Sequence, residues 1–370
     1  MDRRDFLKGS SAAALGLGTA AVAAASAAKA ADDFRGLATP NVVQHRRRLR
    51  MVCLWPDSVS GPADHIHRFV RRIEAATNGR WVIDIADEPL VGGNAFKSVI
   101  TGDADLYAGH EHAHRTLHPA FSYFAGLPCG TGMDIDHLNA WLTAASGQDL
   151  WDTLAAEFNM KGLVIGHSGA AHGLFTRTPI RTRADFRGKH IAITGLAAEV
   201  LEAVDAHPAD GVVASVSDLI GAPDLDGIEL HGPAFAIPHE RFAALHAALP
   251  HRLLPGLCDT GHAITLGLRR SLWDALAASE RIMLSALASE ALAASRADAL
   301  AEARAFDQMT DSAIYTSDYK RPPHWDVVTD ELSRIAATVV ADLSGHDAHS
   351  ARINASYMAF KGHPHDPANA

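Results

Sequence analysis

The chain has 370 residues, with 33 Lys/Arg against 43 Asp/Glu and a formal charge of −10. That acidic balance excludes a general nucleic-acid or anionic-membrane surface, and the length is enough for two lobes. The unusual count is 22 His, roughly three times average usage.

The N-terminus reads Asp2-Arg3-Arg4-Asp5-Phe6-Leu7-Lys8, followed by an Ala/Gly/Ser-rich stretch to Ala28. Paired arginines before an apolar stretch, with Ala28-Lys29-Ala30 as a small-x-small cleavage site, form a twin-arginine export signal. Residues 1–30 carry four Lys/Arg and two Asp, so the mature chain has a formal charge near −12 and is expected in the periplasm. Cys53, Cys129 and Cys258 have no C-x-x-C spacing and lie in apolar or small-residue runs. They read as structural thiols, with one disulfide plus a thiol as the alternative.

The segment from Asp32 to Arg48 reads as a polar lead-in arm. Leu49 to Trp55 is an apolar strand stopped by Pro56. Ile66, Phe69, Val70, Ile73 and Ala76 recur at helical spacing, and Asn78-Gly79 ends that helix. Strands at Trp81–Ile85 and Ala104–Gly109 flank a short helix from Asn94 to Ile100. Asp136 is expected to cap a helix over Leu138–Ala145, with another from Gln148 to Phe158. Further strands follow at 163–166, 173–176, 190–193, 228–231 and 264–268. Ser271-Leu-Trp-Asp274 reads as a capping box opening one helix to about Met309, long enough to run along both lobes. Helices over Trp325–Leu343 and Ala348–Phe360 close the chain. This order predicts an α/β protein of two lobes with a ligand cleft between them and a long lobe-spanning helix. The expected divisions are a signal peptide over 1–30, lobe 1 over 31–160 with a returning strand near 238–268, lobe 2 over 161–237, the spanning helix over 271–310 and C-terminal helices over 325–360. Exported, two-lobed and without a catalytic signature, the chain reads as a binding protein that closes on a ligand.

Several segments resemble the DctP-like solute-binding proteins of TRAP (tripartite ATP-independent periplasmic) transporters. They are Arg50-Met-Val-Cys-Leu-Trp-Pro56, Ile73-Glu-Ala-Ala-Thr-Asn-Gly79, Thr101-Gly-Asp-Ala-Asp-Leu106, Phe175-Thr-Arg-Thr-Pro-Ile180 and Ala184-Asp-Phe-Arg-Gly-Lys189. Trp55-Pro56, Asn139-Ala-Trp141 and Glu229-x-x-x-Pro233 are most similar to the subgroup that binds 2-oxo and 2-hydroxy acids. The resemblance implies capture of a small organic acid, delivery to TRAP membrane permease subunits, no chemistry on the ligand, and a homodimer among the candidate assemblies. It also implies a carboxylate-gripping Arg after the Gly-Lys turn, suited by its two parallel donors. Here Ala192 stands at that position, leaving Arg177, His190 or His172 as substitutes.

The resemblance aligns His110, His112 and His114 with a polar and aromatic wall. Alternation on a strand would put all three on one face, and a helix would pair His110 with His114. Either brings two imidazoles to one ligand or ion. Glu229 aligns with a cation-binding Glu and Asp259 with a second acid, the implied ligands of a bridging Ca²⁺ or Na⁺. Trp55, His172 and His231 complete the ligand-binding candidates. Other readings of the same residues are a binding protein for a metal, a metal chelate or another ligand through a His-rich cleft, an accessory or sensor protein, and a metal-dependent hydrolase. The last lacks any H-E-x-x-H or G-x-S-x-G motif.

Overall fold

The structure is a computed structural model that describes residues 46–55, 61–86, 94–210, 224–229, 239–311 and 322–362. The export signal and His231 lie outside the described residues. The first sheet is built from β1 (Arg47–Cys53), β2 (Trp81–Ile85), β3 (Leu106–Gly109), β4 (Met160–His167) and, far along the chain, β10 (Ala263–Arg269). Their order is β2-β1-β3-β10-β4. β1 runs parallel to β2 and β3, while β10 is antiparallel to both β3 and β4. The basic end of the expected lead-in arm is in fact the start of β1. There Arg48 pairs with Asp84 at 2.7 Å, one strand away.

The second sheet holds β5 (Leu174–Thr176), β6 (His190–Ile193), β7 (His207–Asp210), β8 (Gly227–Glu229) and β9 (His251–Leu253), in the order β7-β6-β8-β5-β9. Strands buried on both faces read as apolar runs, which is why β4 and β10 were visible in the sequence. Two segments join the sheets, 168–173 from β4 to β5 and 254–262 from β9 to β10.

Helices cover both sheets. On one face of the first sheet, α1 (Pro62–Ala76) buries Ile66, Phe69, Val70 and Ile73 at helical spacing. The expected long helix is two helices. A short one, α2 (Arg270–Ala275), starts at Arg269 without a side-chain cap, and α3 (Ala278–Asp311) follows. The break has a local cause: the Glu280 carboxylate accepts the Ala277 N–H at 3.0 Å and so starts a new helix there. At 34 residues α3 is about 51 Å long. It runs along the first sheet from Trp81, whose indole N–H donates to Glu280, to the first joining segment, where Ser295 Oγ accepts the His167 N–H.

On the other face lie α4 (Ile135–Ala144) and α5 (Gly147–Ala156). The cap of α4 is Asp134, which accepts the His137 N–H at 2.9 Å, rather than Asp136. The C-terminal helices are α6 (Pro323–Ser344) and α7 (Ala348–Lys361). It is α6 that packs on both halves of the molecule. Trp325, Val328, Leu332 and Ala336 bury into the core of the second sheet, and Val340 and Leu343 into that of the first. Among the described residues no helix is long and apolar enough to cross a membrane. Cys53 and Cys258 are buried.

The two joining segments touch. Ser168 N–H donates to the His262 carbonyl and His262 N–H to Ser168 Oγ, each at 2.8 Å. Gly261 has φ +76°, and a Cβ placed on it would sit 1.8 Å from the Gly169 carbonyl oxygen. No rotamer relieves a clash with backbone, and the left-handed conformation alone costs a side chain about 1–2 kcal/mol. Gly261→Ala is therefore expected to lower unfolding free energy by more than about 2 kcal/mol in urea titrations, and an unchanged midpoint would show that the segments are not pressed together as described.

Candidate functional site

The ends of β1, β3, β4 and β6 and the start of β10 meet around a group of imidazoles. Trp55, just after β1, stands edge-on to His110 at 4.7 Å between ring centroids. His110 follows β3 and is stacked on His112 at 5.0 Å with 27° between planes. His262, which precedes β10, lies 5.2 Å from His110 and 4.8 Å from His112. His167 ends β4 beside Gly261. All four imidazoles are buried. The second sheet supplies the opposite wall. Thr194 Oγ1 and His262 Nε2 share a hydrogen bond of 3.1 Å. Gly195, at φ +70°, leaves room for the imidazoles, because a Cβ there would meet His112 at 3.4 Å and His262 at 3.5 Å.

Burial sets the charge of this group. It pushes His110 down to about 4 and His167 down to about 3. Both are neutral at neutral pH. His110 Nδ1 lies 2.7 Å from the Ala263 carbonyl, an acceptor, which assigns the proton to Nδ1 and leaves Nε2 as a lone-pair nitrogen. At His110 and His167 the site thus offers neutral hydrogen-bonding rings rather than a cationic grip.

The expected geometry of the His-x-His-x-His run does not hold. The chain after β3 is neither strand nor α-helix but a single 3₁₀ turn, Glu111–His114. It keeps His110 and His112 together and turns His114 into the lobe, among Phe96 at 4.4 Å, Tyr107 at 4.9 Å and Phe121 at 6.2 Å. Glu111 also points inward, where the Tyr107 hydroxyl donates to it and burial pushes its carboxyl up to about 7.

The other candidates are dispersed. Arg177 is exposed, and its guanidinium donates to the Leu225 carbonyl at 2.8 Å. His172 is buried in the first joining segment, where its carbonyl accepts Arg252 Nε at 2.7 Å. Glu229 Oε2 and Oε1 accept the N–H groups of Leu257 and Cys258 at 2.9 and 2.7 Å, so this side chain ties the second sheet to the second joining segment. Burial pushes its carboxyl up to about 7. Asp259 Oδ1 accepts the Gly130 N–H at 3.3 Å and lines a cavity of about 190 Å³ facing α6, together with Cys129, Gly256 and Ser333. Burial raises its carboxyl too. Each Glu229 oxygen accepts one backbone N–H and keeps a lone pair, and Asp259 offers a second carboxylate, so both retain the oxygen donors that a hard cation takes.

Sequence reasoning missed His167, His262 and Thr194. One signal was available: each sits at or next to a strand end facing the break between lobes, where open α/β sheets gather their ligands. It also missed Arg252. Cross-strand register puts Ala192, Ile228, Phe175 and Arg252 in one row across the second sheet. The buried Arg252 guanidinium lies over the Phe175 ring at 5.8 Å, three strands from Ala192.

No known family profile matches this chain. A monocarboxylate 2-oxoacid-binding periplasmic protein from Nostoc sp. is 27% identical over 205 residues, 54% of this chain and 52% of that protein, so the match spans about half the length of the relative. The fold is that of the TRAP periplasmic solute-binding proteins. A crystal structure of one from Pseudoalteromonas atlantica, with bound sodium and pyruvate, superposes with a TM-score of 0.74 at 18% identity, covering 86% of this chain and 94% of that one. Another from Bordetella bronchiseptica, a dimer with calcium and picolinate in one site, gives 0.73 at 20% identity over 86% and 92%.

His114 makes a testable consequence of burial. Neither of its ring nitrogens has a hydrogen-bond partner among the described residues, and burial pushes it down to about 3. The unfolded imidazole takes a proton near pH 6.5 and the folded one resists it, so folding loses stability as pH falls from about 6.5 toward 3. By pH 5 that loss is about 2 kcal/mol. His114→Leu abolishes it, so the stability difference between variant and wild type should widen by about that amount between pH 7.5 and pH 5 in urea unfolding; a constant difference would contradict the burial of a neutral ring.

Proposed function

We propose that this protein is the periplasmic solute-binding subunit of a TRAP-type transporter. It captures a small 2-oxo or 2-hydroxy monocarboxylate between its lobes and passes it unaltered to a membrane permease. Residues 1–30 direct twin-arginine export, so the protein folds before it crosses the inner membrane. The observation that carries this reading is the site itself: strand ends from two sheets, joined by two touching segments, meet around His110, His112, His167 and His262, opposite Thr194 and Gly195. The shared fold with TRAP solute-binding proteins, and the 2-oxoacid-binding Nostoc relative, support the ligand class.

The site binds an acid without the family's guanidinium. A carboxylate oxygen accepts hydrogen bonds from imidazole N–H groups and from the Thr194 hydroxyl in place of an Arg fork. Neutral donors give weaker bonds than charged ones. Burial between closing lobes offsets part of that loss, because a hydrogen bond strengthens where water is excluded. The His110–His112 stack, with Trp55 edge-on to it, provides an aromatic surface against which a planar 2-oxo acid lies.

A second reading, an acid bound as a chelate of a transition metal, is favoured by one observation: burial keeps the His110 and His167 imidazoles of the cleft neutral. Neutral imidazole is a ligand for borderline metals and a poor one for hard cations. Thermal-shift titrations separate the two. Pyruvate or lactate alone is expected to raise Tm by mass action. A shift that needs Zn²⁺ or Ni²⁺ would support the chelate, and no shift with any of these acids, with or without a metal, would remove the proposal. His262→Ala and His112→Ala are expected to weaken pyruvate binding at least tenfold by calorimetry. Because burial keeps the His110 and His167 rings neutral well below neutrality, affinity should stay level from pH 6 to 8. A steep loss near pH 6.5 would mean that a charged imidazole grips the ligand.

A further inference from the structure

Away from the cleft, three potential metal donors converge where α7 begins. His118 precedes the 3₁₀ turn Pro119–Phe121, and His346 and Asp347 form the link between α6 and α7. His118 Nε2 lies 2.9 Å from Asp347 Oδ2, and the rings of His118 and His346 stand edge-on at 5.2 Å. One donor atom from each of the three lies within 4.8 Å of the others. Two of the three are already fixed. His118 is buried with its ring edge-on to Phe121 and Phe158. Asp347 Oδ1 accepts the Ser350 N–H at 2.7 Å, so its other oxygen is presented by the cap of α7. His346 is exposed.

We propose that His118, His346 and Asp347 bind a borderline divalent cation, with Zn²⁺ as the best match. Two imidazole nitrogens and one carboxylate oxygen are a common zinc donor set. Two imidazoles select against Ca²⁺ and Mg²⁺, which take oxygen ligands. Metal–ligand distances of about 2.0–2.1 Å at tetrahedral angles need donor atoms about 3.4 Å apart. The His118–Asp347 pair is already closer than this, and the exposed His346 ring supplies the remaining movement. The neighbouring His349 is engaged with Glu157 at 2.8 Å, which leaves the fourth position to water. Loading replaces the proton between His118 and Asp347 and gives up the 3.3 Å bond from the Ala120 N–H to His118 Nδ1, because a metal on Nε2 moves the ring proton to Nδ1. The bound ion would pin the start of α7 to the turn that leads into Phe121. The rest of α7 is already held by Tyr357, which accepts the Met133 N–H at 2.8 Å.

Calorimetric titration of the full mature protein with ZnCl₂, paralleled by Co²⁺ absorption spectra, tests this. Wild type is expected to take up one equivalent at this site with a tetrahedral Co²⁺ band. His346→Ala changes an exposed ring, and Asp347→Ser keeps the helix cap while removing the carboxylate. Each should weaken that equivalent at least tenfold and abolish its Co²⁺ band. Pyruvate should not displace it, since the site lies outside the cleft. Absence of zinc uptake by wild type, uptake unaltered in both variants, or displacement by pyruvate would overturn the proposal.

Discussion

The contact between the two joining segments is the constraint on which the site rests. Ser168 and His262 exchange two hydrogen bonds, and Gly169 and Gly261 meet with no space for a side chain. This contact fixes where β4 ends and β10 begins. His167 and His262 are thereby held beside His110, although 95 residues separate them in the chain. Glu229 adds a tie from the second sheet to the same segment through the Leu257 and Cys258 N–H groups. Motion between the lobes therefore has to pass through a few residues whose backbone is already closely specified, as in hinge closure generally.

The charge of the site follows from its burial. An imidazole removed from water loses its proton, since a charged ring would lose its hydration without a paired anion to compensate. A buried carboxyl gains one for the same reason, as at Glu111 and Glu229. Burial keeps the His110 and His167 rings of the cleft neutral, and Arg177 is exposed, its guanidinium held by a backbone carbonyl.

Much of the architecture was legible in the sequence because it rests on local patterns. Apolar runs marked β4, β6 and β10, helical spacing marked α1, and Asn78-Gly79 marked its end. The errors were also local and had physical causes. Glu280 restarts a helix that propensity alone would carry through, and Asp134 rather than Asp136 holds the cap. The 3₁₀ turn after β3 has three residues per turn, so strand alternation paired His110 with His112 but misplaced His114, and α-helix spacing wrongly paired His110 with His114. The site was legible only in part. Trp55, His110 and His112, candidates that the resemblance suggested, lie together after the first and third strands. His167 and His262 were not found, because only the pairing of β4 with β10 brings them close. The reach of α6 into both cores likewise depends on packing between distant segments.

In the proposed binding mode, the imidazoles at the lobe junction hold the ligand. Nitrogen-15 NMR of histidine-labelled protein, titrated with pyruvate at pH 7, tests it most directly. The ring resonances of His110, His112 and His262 should move together and saturate with the ligand, with His110 keeping the shifts of a neutral ring, while the His114 ring in the aromatic core stays fixed. Saturable pyruvate binding that leaves all three cleft rings unmoved would contradict the account.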